Sequence, residues 1–145
     1  MFLSQYRHSI DTKGRLTIPA NFRELVSEGA YVTQGFDGNL RVLTAESFEL
    51  LYDQVSKMSF TNPTVRRLSR LLFSTAAQVE PDKNGRILIP QFLRDAAGLD
   101  GDAIIVGAGK YFEIWSPERW EAQVTRLSAE DLNVEEFADL ELPSG

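Results

Sequence analysis

Two stretches of this chain are near copies of each other. Residues 11–19 read Asp-Thr-Lys-Gly-Arg-Leu-Thr-Ile-Pro, and residues 82–90 read Asp-Lys-Asn-Gly-Arg-Ile-Leu-Ile-Pro, 71 positions later. Five of the nine positions are identical. Arg23 falls on Arg94 at the same offset, and with the register shifted by one Arg41–Phe48 lies over Glu113–Trp120. Such agreement marks a tandem duplication, and duplication constrains the fold. A unit of about 45 residues is too small to bury a stable core alone. The two copies are therefore expected to pair around an approximate two-fold axis and close a shared barrel.

Each copy carries the same local signals. Strands are expected over about Gln5–Ile10 and Thr75–Glu80, each followed by a turn at Asp11–Gly14 or Asp82–Gly85. Asp accepts local backbone hydrogen bonds there, and Gly tolerates positive φ. The chain returns through Arg15–Ile18 and Arg86–Ile89 to make a hairpin, and Pro19 or Pro90 closes the strand and opens a short helix. That helix runs to about Glu28 in the first copy and to a C-capping Gly98 in the second. Second hairpins turn at Asp37-Gly38 and Gly107–Lys110. Each copy then ends in an amphipathic helix, capped by Thr44 or begun by Ser116-Pro117. Asn62-Pro63 starts a connecting helix with Val65, Leu68 and Leu72 on one side and Arg66, Arg67 and Arg70 on the other. The expected divisions are residues 5–47, a connector 48–75, residues 76–119, and a helix with an acidic tail over 120–145. The tail from Ser128 reads as a short helix followed by a loose end. The class is α+β.

The Asp-x-x-Gly-Arg-(Ile/Leu)-x-Ile-Pro motif resembles that of the SpoVT/AbrB swapped-hairpin DNA-binding proteins. Two copies in one chain, joined by an Arg-bearing helix, resemble the MraZ family in particular. The opening Met1–Tyr6, the Asn62-Pro63 joint and Tyr111–Trp115 add to the likeness, which covers nearly the whole chain and weakens after about Leu127. The resemblance implies two tandem swapped-hairpin β-barrel repeats in pseudo-two-fold arrangement with flanking helices. It further implies a transcriptional regulator of the division and cell-wall gene cluster, located in the cytoplasm and nucleoid. Such a regulator binds short direct repeats in promoter double-stranded DNA upstream of its own gene, as a homo-oligomeric ring. An assembly protein or the antitoxin half of a toxin pair is the alternative.

The residues themselves suggest a mechanism. Arg15 and Arg86 directly follow the turn glycines, Gly14 and Gly85, and so leave the hairpin tips. A β-ribbon fits the DNA major groove, and Arg binds guanine O6 and N7 bidentately. Lys13 and Lys83 lie in the same turns, placed to neutralise phosphates, and Thr12 offers a hydroxyl. The competing reading is that Arg15 only pairs with Asp11, and Arg86 only with Asp82, to fix the turn. Arg86 is the weaker DNA candidate because Glu80, Asp82 and Asp95 surround it in sequence. Arg7 is read as either an extension of the cationic stripe or a solvated strand residue. Matched Arg23 and Arg94 are expected to form a repeated salt bridge between hairpin and helix. The basic cluster Arg66, Arg67 and Arg70 is expected to be a solvated face or a contact with a neighbouring subunit.

Other chemistries lack their residues. No cysteine occurs, so disulfides and Cys-based zinc sites are excluded. The single histidine, His8, belongs to no nucleophile motif and forms no multi-His site. Gly107-Ala-Gly-Lys110 lacks the first glycine and the hydroxyl of a phosphate loop and reads as a turn. Asp100-Gly-Asp102 lacks the ligand series of a calcium loop. No cofactor, metal, catalytic group or small-molecule substrate is expected. Met1–Ile10 lacks the pattern of a signal peptide, and no apolar run reaches the roughly 18 residues of a membrane helix, so the chain is expected to be soluble and intracellular, away from membranes. The formal net charge of −6 is carried entirely by residues 121–145, which hold seven carboxylates against Arg126. Residues 49–75 are net basic, so position matters more than total charge.

Overall fold

The computed structural model describes residues 1–127, Phe137 and residues 139–143. The expected helix and loose end of the tail therefore fall largely outside the described residues. Among the described residues, eight strands and five α-helices run in the order β1 (Gln5–Ser9), β2 (Arg15–Thr17), α1 (Ala20–Arg23), β3 (Ala30–Gln34), β4 (Leu40–Thr44), α2 (Ala45–Ser56), α3 (Pro63–Phe73), β5 (Ala77–Val79), β6 (Arg86–Leu88), α4 (Gln91–Ala97), β7 (Asp102–Gly107), β8 (Tyr111–Trp115) and α5 (Pro117–Arg126) before the partly described tail. Among the described residues, no helix is long and apolar enough to cross a membrane.

The strands form a six-stranded sheet, β1-β7-β8-β4-β3-β5, and a two-stranded ribbon, β2-β6. Exchanging the copies turns β1 into β5, β2 into β6, β3 into β7 and β4 into β8. The six-strand order then becomes its own reverse, which is the pseudo-two-fold expected of a duplication. The symmetry is visible in the registers. Leu16 pairs with its counterpart Ile87, and Arg41 pairs with its counterpart Glu113.

This pairing exchanges the arms of the two local hairpins, in line with the swapped-hairpin fold that the resemblance implies. The turns form, with Gly14 N–H donating to Asp11 O and Gly85 N–H to Asp82 O. Their arms then part after a single bridge, Ile10 to Leu16, in the first copy. Strand β1 joins β7, β5 joins β3, and β2 and β6 pair with each other. The physical reason is burial, since a lone two-stranded hairpin is marginal in water. Exchange instead places Leu16 and Ile87 side by side in a common core, at 0% and 1% exposure.

That core draws on both copies. The Phe22 ring lies 5.0 Å from Phe2, 5.5 Å from Tyr6 and 5.2 Å from Phe112 of the second copy. Edge and tilted aromatic contacts of this kind add to area burial. Isoleucines 18, 89, 105 and 114 complete the centre.

The caps form as their chemistry dictates. Thr44, Asn62 and Ser116 accept from the backbone N–H of Ser47, Thr64 and Arg119, at 3.1, 2.9 and 3.2 Å. Gly98 adopts φ 66° and ends α4. The first copy departs from its sister here: the helix after Pro19 tightens into a 3-10 turn over Glu24–Val26. Helix α2 packs by stacking Phe48 on Tyr31, with centroids 4.0 Å apart, and α3 adds the edge of Phe73 at 5.8 Å from Phe48.

Candidate nucleic-acid interface

Strand alternation decides what the β2–β6 ribbon shows to solvent. Leu16 and Ile87 point inward, so Arg15, Thr17, Arg86 and Leu88 occupy the outer face. Leu88 is 55% exposed although apolar. Each strand is entered through an Asp-x-x-Gly turn, and Thr12, Lys13 and Lys83 are exposed there.

The turn aspartates organise this face. Asp11 Oδ1 accepts the backbone N–H of Lys13 at 3.0 Å and of Arg15 at 2.8 Å, while Oδ2 accepts Arg15 Nε at 2.7 Å. Asp82 repeats the pattern with Asn84 and Arg86, both backbone bonds at 2.9 Å, and with Arg86 Nε at 3.1 Å. Asp11 Oδ2 also lies 3.8 Å from Arg86 Nη1, so one carboxylate serves both arginines. The backbone bond from Arg15 is the chief cause holding the Asp11 carboxyl below the usual carboxylate range, against partial desolvation. The backbone bond from Arg86 does the same for Asp82. The pairing foreseen as the competing reading is thus present. It fixes the Nε edge of each guanidinium and thereby orients the remaining nitrogens.

Arg23 and Arg94 do not form the expected salt bridges among the described residues. Arg23 Nε donates to Ile18 O at 2.7 Å, and Arg94 Nε to Ile89 O at 2.9 Å. Each guanidinium then crosses to the other copy. A Cβ built on Gly85 would collide with Arg23 Nε, and one on Gly14 would lie 2.8 Å from the Arg94 guanidinium. Reciprocal backbone bonds, Ile18 N–H to Gly85 O and Ile89 N–H to Gly14 O, lock the same contact at 2.8 Å each. Glycine is therefore required twice over, for positive φ and for close approach. Spacing showed that Arg23 and Arg94 were equivalent, but no local signal showed that they cross between copies.

The ribbon and its turns gather Lys13, Arg15, Arg23, Lys83, Arg86 and Arg94 against Asp11 and Asp82, a cationic excess on an acidic chain. Thr17 and Leu88 share the outer face and were missed, although alternation from Arg15 and Arg86 points to them. Arg7 does not join this face. It lies on β1 of the six-stranded sheet, outside the ribbon, and donates from Nη2 to Asp102 Oδ2 at 2.8 Å. That bond is the first cause of a lowered Asp102 carboxyl. The Gly107–Lys110 segment is a turn, closed by Ala108 N–H to Tyr111 O at 3.0 Å. Among the described residues, no group of three or more His, Cys, Asp or Glu is arranged to hold a metal ion.

Known proteins resemble this chain along most of its length. It is 49% identical to the transcriptional regulator MraZ of Roseiflexus castenholzii, over 95% of this chain and 94% of that protein. The MraZ regulators of Thermomicrobium roseum and Dictyoglomus turgidum are 46% and 48% identical, over 90% and 83% of this chain and 92% and 83% of theirs. A family model described as "MraZ protein, putative antitoxin-like" matches twice, over residues 1–71 and 72–140. With both repeats matched and the exchanged strands in place, the chain belongs to the MraZ family.

Proposed function

We propose that this chain is a non-enzymatic, sequence-specific DNA-binding transcriptional regulator. The observation that carries the reading is the outer face of the β2–β6 ribbon, where Arg15 and Arg86 are held by Asp11 and Asp82 between turns bearing Lys13 and Lys83. A two-stranded ribbon matches the width of the major groove, and a guanidinium fixed at Nε presents its other nitrogens to guanine O6 and N7. Lys13, Lys83 and Thr12 sit where phosphates flank such a ribbon. The names of the relatives support the regulatory role.

In the same reading, the target is promoter DNA upstream of the chain's own division and cell-wall gene cluster, bound in the cytoplasm at the nucleoid. A single ribbon makes few contacts. A homo-oligomeric ring that presents several ribbons to several short direct repeats raises the effective concentration of each after the first engages. Titration of the protein against the DNA upstream of its gene, with a scrambled control, tests this. Specific protection of short repeats is expected, and equal, salt-sensitive binding to both DNAs would overturn it. The family description favours one second reading, the antitoxin half of a pair. Gene order tests it, because an antitoxin has a toxin gene beside its own.

A further inference from the structure

We propose that the exposed face of α3 is a docking surface for the chain's own acidic segment, residues 130–142. Helix α3 is anchored by its other side, where Leu72 is buried and Phe73 meets Phe48 and Tyr52. Its outward side forms an open groove of about 540 Å³ lined by Thr64, Arg67, Leu68, Arg70 and Leu71. Arg66 is committed elsewhere, donating from Nη1 to the carbonyls of Phe60 and Thr61 at 2.9 and 3.1 Å. Arg67 and Arg70 meet no carboxylate within 4 Å among the described residues. The core does not use this face, and its lining alternates cation with leucine.

The occupant follows from charge and pattern. Residues 130–142 carry Glu130, Asp131, Glu135, Glu136, Asp139 and Glu141 with no Lys or Arg, and they interleave Leu132, Val134, Phe137, Leu140 and Leu142. Acid alternates with apolar there as cation alternates with apolar on α3. The described part leaves its apolar side chains open, with Leu140 60% and Leu142 72% exposed. Reach is sufficient. Helix α5 packs on β7 and α3 on β3, three strand spacings or about 14 Å apart in the sheet. Extended chain covers about 3.4 Å per residue, so the five residues after Leu127 span about 17 Å and bring Leu132, the first large apolar residue of the segment, as far as α3. Phosphate is the competing anion for the same arginines, but it does not account for the leucines between them.

Because the chain has no cysteine, Ser144→Cys in the full-length protein accepts one fluorophore at the tail. Its anisotropy at low salt is expected to be high, and to fall most of the way to the urea-unfolded value when Arg67→Glu and Arg70→Glu are combined. The same fall is expected in about 1 M salt, where screening is nearly complete, whereas Arg67→Lys with Arg70→Lys retains most of the signal. Circular dichroism establishes that each variant is folded. Anisotropy unmoved by charge reversal would overturn the proposal. So would a charge-reversed protein that loses DNA affinity while its tail signal is unchanged, since α3 would then be a DNA-contacting face. No arm relies on Arg15, so this proposal and the ribbon reading can fail separately.

Discussion

The Arg23 guanidinium lies across Gly85 of the opposite repeat, so close that any Cβ there would collide with its Nε. Gly85 has φ 74°, and Arg23 is tied to Ile18 O, so neither partner moves without losing a bond. Gly85→Ala is expected to lower unfolding stability by about 1–3 kcal/mol, the usual strain of a left-handed non-glycine residue. The denaturant midpoint reads this directly. A midpoint equal to the parent's would show that the cross-repeat contact contributes nothing.

A shared core predicts a shared transition. Phe22 belongs to the first repeat, yet its ring contacts Phe112 of the second. Phe22→Ala is expected to cost about 3–5 kcal/mol and to shift one cooperative unfolding curve. Two separated transitions, with only the first moved, would mean that the repeats fold independently.

The turn aspartates predict an acid dependence. Their carboxyls are lowered in the folded chain, first by backbone bonds from Arg15 and Arg86. The stabilisation is thus complete above the ordinary Asp range and is lost as pH falls through the lowered values. Asp11→Asn with Asp82→Asn should flatten stability against pH in that acidic window. A thermal-denaturation series from neutral to strongly acidic pH tests this, and an unchanged slope would contradict it.

Much of the fold was readable from local chemistry. Asp-x-x-Gly marked both turns, and Thr44, Asn62 and Ser116 marked three helix starts, because each acts within a few residues of itself. The exchange of strands was not readable from the residues alone, since a turn specifies its own geometry and not the partner of its arms. Partners were settled by burying Leu16 against Ile87 from the far half of the chain. Arg23 and Arg94 show the same limit: repetition identified them, but the carbonyl and the opposite glycine they touch depend on the assembled core. The pairing of Arg7 with Asp102 was not readable either, because the two lie 95 residues apart.

The acidic tail should be dispensable for folding. Residues 128–145 carry strong like charge, and none of their described apolar side chains joins the core, with Leu140 60% and Leu142 72% exposed. Deleting them is expected to leave the melting temperature within a few degrees of the parent. Loss of cooperative unfolding would show that the tail is a core element.

Phosphate and base recognition should separate by salt. Lys13→Ala is expected to weaken binding to operator and scrambled DNA alike, and to reduce the salt slope by about one for each phosphate that Lys13 neutralises in the parent. Arg86→Ala should cost less specific affinity than Arg15→Ala, because Arg86 lies within 4 Å of both Asp82 and Asp11.

The central claim is that the ribbon reads DNA through Arg15. It is tested most directly by titrating parent and Arg15→Ala proteins against upstream and scrambled DNA at two salt concentrations, with oligomeric state measured alongside. Losing a bidentate bond to guanine should remove about 1–3 kcal/mol per engaged copy. Repeated around the proposed ring, that loss is expected to abolish the proposed preference for upstream DNA while fold and assembly persist. An Arg15→Ala protein that keeps its assembly and binds upstream DNA as tightly as the parent would show that Arg15 serves the turn alone.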